Sequence, residues 1–145
     1  MLKENSSFWK WYILEYCTVY TLGALGYGCL ELLFRGYTHW SMLLTGGLCL
    51  LLLYLIAVRS NWSLPQQWIA GAVIITTLEF LVGIVVNLYL GWDVWDYSNR
   101  SLNLFGQICP LFSLFWLVLC IPVSSFCRKL HTFFYYIQCK LSGQR

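Results

Sequence analysis

Charged side chains are scarce in this chain, six Asp or Glu and nine Lys or Arg in 145 residues, so the few set among apolar neighbours mark where chemistry is to be sought. Glu79 lies mid-way along the apolar stretch Gln67–Leu90, about 12 residues or ~18 Å of helix from either end. No Lys or Arg lies at that depth of any apolar stretch. A carboxyl so placed is expected to be protonated or to line a hydrated cavity. Ala72, Thr76, Gly83 and Asn87 share its helical stripe, small or polar residues that point the acid inward. The functional expectation is a proton, cation or substrate site. The plainer one is a neutral carboxyl hydrogen-bonded to a neighbouring helix. Glu31 and Arg35 are four apart and can pair on one helical face, as a site or as a boundary pair that sets helix depth. The segment 91–107, GWDVWDYSNRSLNLFGQ, gathers Asp93, Asp96, Arg100, Asn103 and Gln107 among Trp92, Trp95 and Tyr97. Aromatic rings beside carboxylates bind cations; the alternative is a loop anchored by its tryptophans. Asp93 and Asp96 with His39 would make an acid–base set, but no nucleophile motif joins them, and one His with scattered acids falls short of a zinc ligand set. No metal or other cofactor is expected.

The elements that must hold these residues follow from composition. The chain is 59% hydrophobic and 10% charged, with mean hydropathy +0.65, against ~25% charged in an ordinary soluble domain. Four apolar runs, Trp11–Phe34, Trp40–Val58, Gln67–Leu90 and Ile108–Phe126, approach or exceed the ~20 residues that cross a bilayer as helix. In lipid they must be helical, since no water is there to satisfy an unpaired backbone group. Trp9, Trp11, Trp40, Trp62, Trp68, Trp92 and Trp95 crowd the run edges like an interfacial belt. The fold class is therefore an all-α integral membrane protein with four transmembrane helices. The first run is too long for a signal-peptide core, carries Glu15 and Glu31, and lacks a clear A-x-A site, so it is read as a retained helix. Net charge is only +3, and no basic cluster points to nucleic acid.

Lys and Arg bias sets the orientation. Lys3, Lys10, Arg59, Arg128, Lys129, Lys140 and Arg145 fall on one side of four spans, and Arg35 and Arg100 on the other. Both termini are thus expected in the cytoplasm, with 35–39 and 91–107 outside. There Arg35, Thr38 and His39 would join the second loop in a polar vestibule above Glu79. Residues 1–127 read as one four-helix domain and 128–145 as a basic amphipathic cytoplasmic tail. Leu130, Phe133, Phe134, Ile137 and Leu141 share a face there, fitting an interfacial helix on the anionic leaflet or an extension of the fourth helix. Glu15 reads as interfacial. Pro110 suits a first helical turn, and Pro122 leaves the Val118 carbonyl without its usual donor. The seven cysteines form no C-x-x-C; Cys29 and Cys109 both fall near the outer surface, where a disulfide would need their separation to fit.

The stretches ELLFRGYTHW (31–40), TTLEF (76–80) and VWDYSNRSLNLFGQICPLFSLFW (94–116) resemble the bacterial "putative ABC-transporter type IV" membrane family, a CmpB-like group, over roughly residues 20–124. The recurring parts are Glu31, Arg35 and Gly36; Glu79; Trp95, Asp96, Tyr97 and Ser98; and Gly106, Gln107, Ile108 and Cys109. The resemblance implies a multi-pass protein of the bacterial plasma membrane, with these residues acting together.

Three functions compete. A transporter-like subunit would select a small solute or ion at the vestibule, with Glu79 binding it or carrying a proton. The chain has no G-x-x-x-x-G-K-[ST] loop, so ATP hydrolysis would come from a separate ATP-binding subunit. Four helices make a thin-walled conduit, so a homo-oligomer or partner helices are expected. The alternatives are a small intramembrane or interfacial enzyme acting on lipid head groups, and a structural or regulatory partner that packs through Gly23, Gly26, Gly28, Gly46 and Gly47.

Overall fold

The computed structural model describes residues 2–141. Four helices account for most of them: α1 (Leu2–Arg35), α2 (Trp40–Arg59), α3 (Leu64–Gly83) and α4 (Pro110–Leu141). A π-helical segment, Ile84–Tyr89, continues α3. The stretches 9–35, 40–59, 64–89 and 110–140 are each long and apolar enough to cross a membrane, because a 30 Å hydrocarbon layer needs ~20 residues at 1.5 Å rise.

Local signals set the helix limits. The Gln66 side chain reaches back to the Ser63 backbone N–H at 2.9 Å, and Pro65 sits in the first turn of α3, where its missing N–H costs nothing. His39 precedes α2 and accepts the Ser41 N–H through Nδ1 at 3.3 Å. Gly36 ends α1 at φ +76°, a left-handed conformation that glycine adopts without a Cβ penalty. Pro122 lies within α4, yet the helix continues unbroken to Leu141. The segment 128–141 is therefore an extension of α4, the second of the two readings above, and not a separate helix.

Residues 36–39 join α1 to α2 and 60–63 join α2 to α3, whereas the longer segment 84–109 links α3 to α4; α1 packs chiefly on α2 and α3 on α4. The α1/α2 seam is closed by glycines: a Cβ at Gly46 would lie 2.2 Å from Cβ of Tyr27, and one at Gly23 would lie 2.6 Å from the Gly46 carbonyl oxygen. The main core runs from Tyr27 and Met42 through Cys49, Leu53 and Ile75 to Trp95, Trp116 and Cys120. A second cluster of Val19, Tyr54, Ala57 and Cys127 fills the opposite end. Two ends follow: a loop end, formed by 36–39 and 90–109, and a terminal end, formed by the start of α1, the 60–63 turn and the end of α4. Cys29 and Cys109 are free thiols, the first exposed and the second buried.

Candidate functional site

Glu79 is 2% exposed and points into the bundle centre. Its two oxygens are held from different helices: the Tyr27 hydroxyl of α1 donates to Oε1 at 2.6 Å, and Trp116 Nε1 of α4 donates to Oε2 at 2.7 Å. The donor rings themselves stack, with centroids 5.6 Å apart at 25°. Each buried polar atom is thus satisfied, as a low-dielectric interior demands. The clamp joins three helices, ten residues or ~15 Å below the loop end of the α3 span.

Above it the segment 91–107 folds back onto the helix ends, organised by Asn87. This residue lies in the π-helical turn, where the wider winding carries Val86 and Asn87 inward together. Its amide donates to the Trp95 carbonyl at 2.9 Å and to Gln107 Oε1 at 2.7 Å, and its Oδ1 accepts the Val94 N–H at 2.7 Å. Trp95 Nε1 donates to the Gln107 carbonyl at 3.0 Å. Gly83 admits this packing, since a Cβ there would lie 2.5 Å from Gln107 Oε1 and 3.0 Å from the Trp95 ring. Asn103 braces the next turn through the Ser98 and Arg100 carbonyls and the Gly106 N–H.

Between this loop, α1 and α4 lies a cavity of about 300 Å³, walled by Glu31, Arg35, Asp96, Tyr97 and Arg100 and floored by Tyr27 and Trp116. Its charges are not equally committed. Glu31 pairs with Arg35 and also accepts from the Thr38 hydroxyl at 2.5 Å. Arg35 reaches on to the Val94 carbonyl at 2.9 Å and lies over the Tyr37 ring at 5.2 Å. Asp96 accepts the Ser98 hydroxyl at 2.5 Å and its N–H at 2.8 Å, bonds that hold its carboxyl below the usual aspartate range, so it is ionised at neutral pH. Burial, then the charge of Glu79, raises the Tyr97 phenol above its ordinary range and keeps it a neutral donor. Tyr97 also stacks on Phe112 at 4.5 Å. Among the described residues, the Arg100 guanidinium and the Tyr97 hydroxyl have no side-chain partner.

The sequence from Tyr12 to the last turn of α4 decides the kinship, because residues 12–142 match the family described as "Putative ABC-transporter type IV". The chain belongs to this family. No curated protein and no solved structure matches it. Four helices place this ABC-transporter-type IV chain among multi-pass membrane proteins, and two of them, α1 and α4, wall the cavity with the loop.

Of the eleven residues singled out in this family member's sequence, five line the cavity: Glu31, Arg35, Asp96, Tyr97 and Arg100. Glu79 lies outside its lining and is linked to it through the Tyr27 and Trp116 donors. Trp95, Asn103 and Gln107 hold the loop in shape. His39 stands apart, packed at a tilt against Trp40 and Trp92 with ring centroids 5.4 Å away in each case. Asp93 is exposed, at φ +47°. Sequence reasoning missed Trp116 as a partner of Glu79, and it missed the partners of Glu15. Glu15 is 6% exposed; Tyr54 donates to its Oε1, and His131 Nδ1 lies 2.8 Å away. His131 is 116 residues distant in sequence, so no local spacing announces it.

Proposed function

We propose that this chain is a transporter-like membrane subunit that holds its solute in the loop-end cavity, with Glu79 as a positioning residue beneath it. The observation that carries the reading is the cavity's make-up: four charged side chains and an aromatic floor in about 300 Å³, at the lower limit of ligand pockets. The Glu79 clamp fixes Tyr27 and Trp116, and these two rings form the floor on which a solute would rest. A solute that displaced Phe34 or Phe115, rings 5.4 Å apart across the α1/α4 opening, would have a route between the cavity and the bilayer side of the bundle. The acid–base reading is weaker here, because His39 does not share the cavity with Asp96.

Family kinship supports association with other transporter subunits, and an ATP-binding chain is the partner this reading requires. Purifying the tagged protein from native membranes in mild detergent, with mass spectrometry of what accompanies it, tests the reading. A stoichiometric ATP-binding chain is the expected result. A homo-oligomer with no such chain, together with wild-type solute uptake by an Arg100→Ala strain, would overturn it.

A further inference from the structure

The loop-end cavity does not end at its floor. Tyr27, Leu30 and Trp116 also line a second cavity of about 250 Å³ that continues toward the terminal end between α1 and α4. Its other walls include Leu22, Gly26, Leu119 and Phe126, with α2 and α3 behind, and they are almost entirely apolar. Gly26 opens onto free space, since a Cβ there would meet no atom within 4 Å. The two cavities thus lie end to end along α1 and α4, meeting at Tyr27, Leu30 and Trp116, polar at the loop end and hydrocarbon-like below.

We propose that these paired cavities bind a membrane amphiphile, its anionic head group at Arg100 and Tyr97 and its alkyl chain along Gly26. The inference rests on the transporter reading of the loop-end cavity and names the class of molecule held there. Three observations choose this occupant. The polar end offers two unused donors, the Arg100 guanidinium and the Tyr97 hydroxyl; Glu31 and Arg35 satisfy each other, and Asp96 keeps its charge but has its Oδ1 held by Ser98. An anion is the complement of that pair of donors. The lower end is walled almost entirely by hydrocarbon, so it offers an occupant next to nothing to hydrogen-bond and suits an apolar chain. About 250 Å³ matches roughly 13–20 Å of an alkyl chain ~4–5 Å across at van der Waals contact. Finally, polarity changes along the two cavities in the order in which a lipid's own polarity changes with depth.

The test uses the full-length protein in nanodiscs that contain phosphatidylglycerol with a photoactivatable group in its acyl chain. Crosslinks are expected to concentrate in peptides covering 22–30 and 116–126. Gly26→Leu, which fills the lower cavity where a side chain meets nothing, is expected to lower crosslinking there at least fivefold without lowering the melting temperature. Arg100→Gln is expected to erase the preference for labelled phosphatidylglycerol over an equally labelled phosphatidylcholine. Labelling spread evenly over the lipid-facing surface, or unchanged in both variants, would overturn the amphiphile. That outcome alongside solute uptake that is still sensitive to Arg100 would leave the transporter reading standing. Crosslinking as expected without an ATP-binding partner would sink the transporter reading alone.

Discussion

Glu79 shows how a carboxyl is tolerated at this depth: it gives each oxygen a donor from another helix. Glu79→Leu removes the acceptor for both, and an orphaned buried donor costs about 1–3 kcal/mol. With two donors orphaned, the variant is expected to lose roughly 2–6 kcal/mol, read as a lowered melting temperature in detergent. Glu79→Gln can turn its amide oxygen to Trp116 Nε1 and donate its NH2 to the Tyr27 hydroxyl oxygen, so its loss should be smaller. Tyr27→Phe, which leaves Glu79 Oε1 buried without its donor, should cost about 1–3 kcal/mol. A Gln variant less stable than the Leu variant would contradict the clamp. The sequence marked Glu79 because an acid inside an apolar run is conspicuous. It was silent on Trp116, which reads as one more aromatic in a run that includes Phe112 and Phe115.

Two devices at the level of elements hold the site's parts in register. The π-helical turn lets Asn87 make three bonds to the loop. Asn87→Ala should release it, with faster amide hydrogen exchange over 91–109 and little change in α1 or α2. Asn87→Asp keeps the acceptor for the Val94 N–H and loses the two donations, so its exchange should fall between Ala and wild type. The α1/α2 seam depends on Gly46, where Tyr27 packs at a distance that excludes any side chain. Gly46→Val is expected to cost about 1–3 kcal/mol through overpacking, whereas Gly26→Ala should be neutral or stabilising by up to ~1 kcal/mol, since a helical glycine is entropically costly and this one faces open space. Thermal unfolding of the pair in one detergent separates the two glycines. The Glu31–Arg35 pair was legible because i,i+4 spacing is local. The inward turn of Trp95 and Gln107 was not, because an irregular loop carries no period from which a buried face can be read.

At the scale of the whole molecule, four helices were readable because each apolar run exceeds or nearly matches a bilayer's thickness and little else explains such runs in so short a chain. The basic residues further predict that the terminal end faces the cytoplasm. A fluorescent protein fused after Arg145 should fluoresce in the cell, and alkaline phosphatase fused at Asn99 should be active; the reverse pattern would invert the orientation. What stayed hidden were contacts that arise only when distant helices meet. At the terminal end, Glu15 is covered by Tyr54 of α2 and His131 of α4, so an acid that looked like a boundary residue joins the first helix to the last.

The Tyr27–Glu79–Trp116 clamp also bears on how the chain enters the bilayer as it is made. A lone acid in a nascent helix works against insertion by ~2.5–3.5 kcal/mol. Synthesis runs from the N terminus, so the Tyr27 hydroxyl already waits in the membrane when Glu79 leaves the ribosome, and Trp116 arrives one helix later. The order of the partners along the gene therefore supplies the acid with its first donor on arrival and its second soon after.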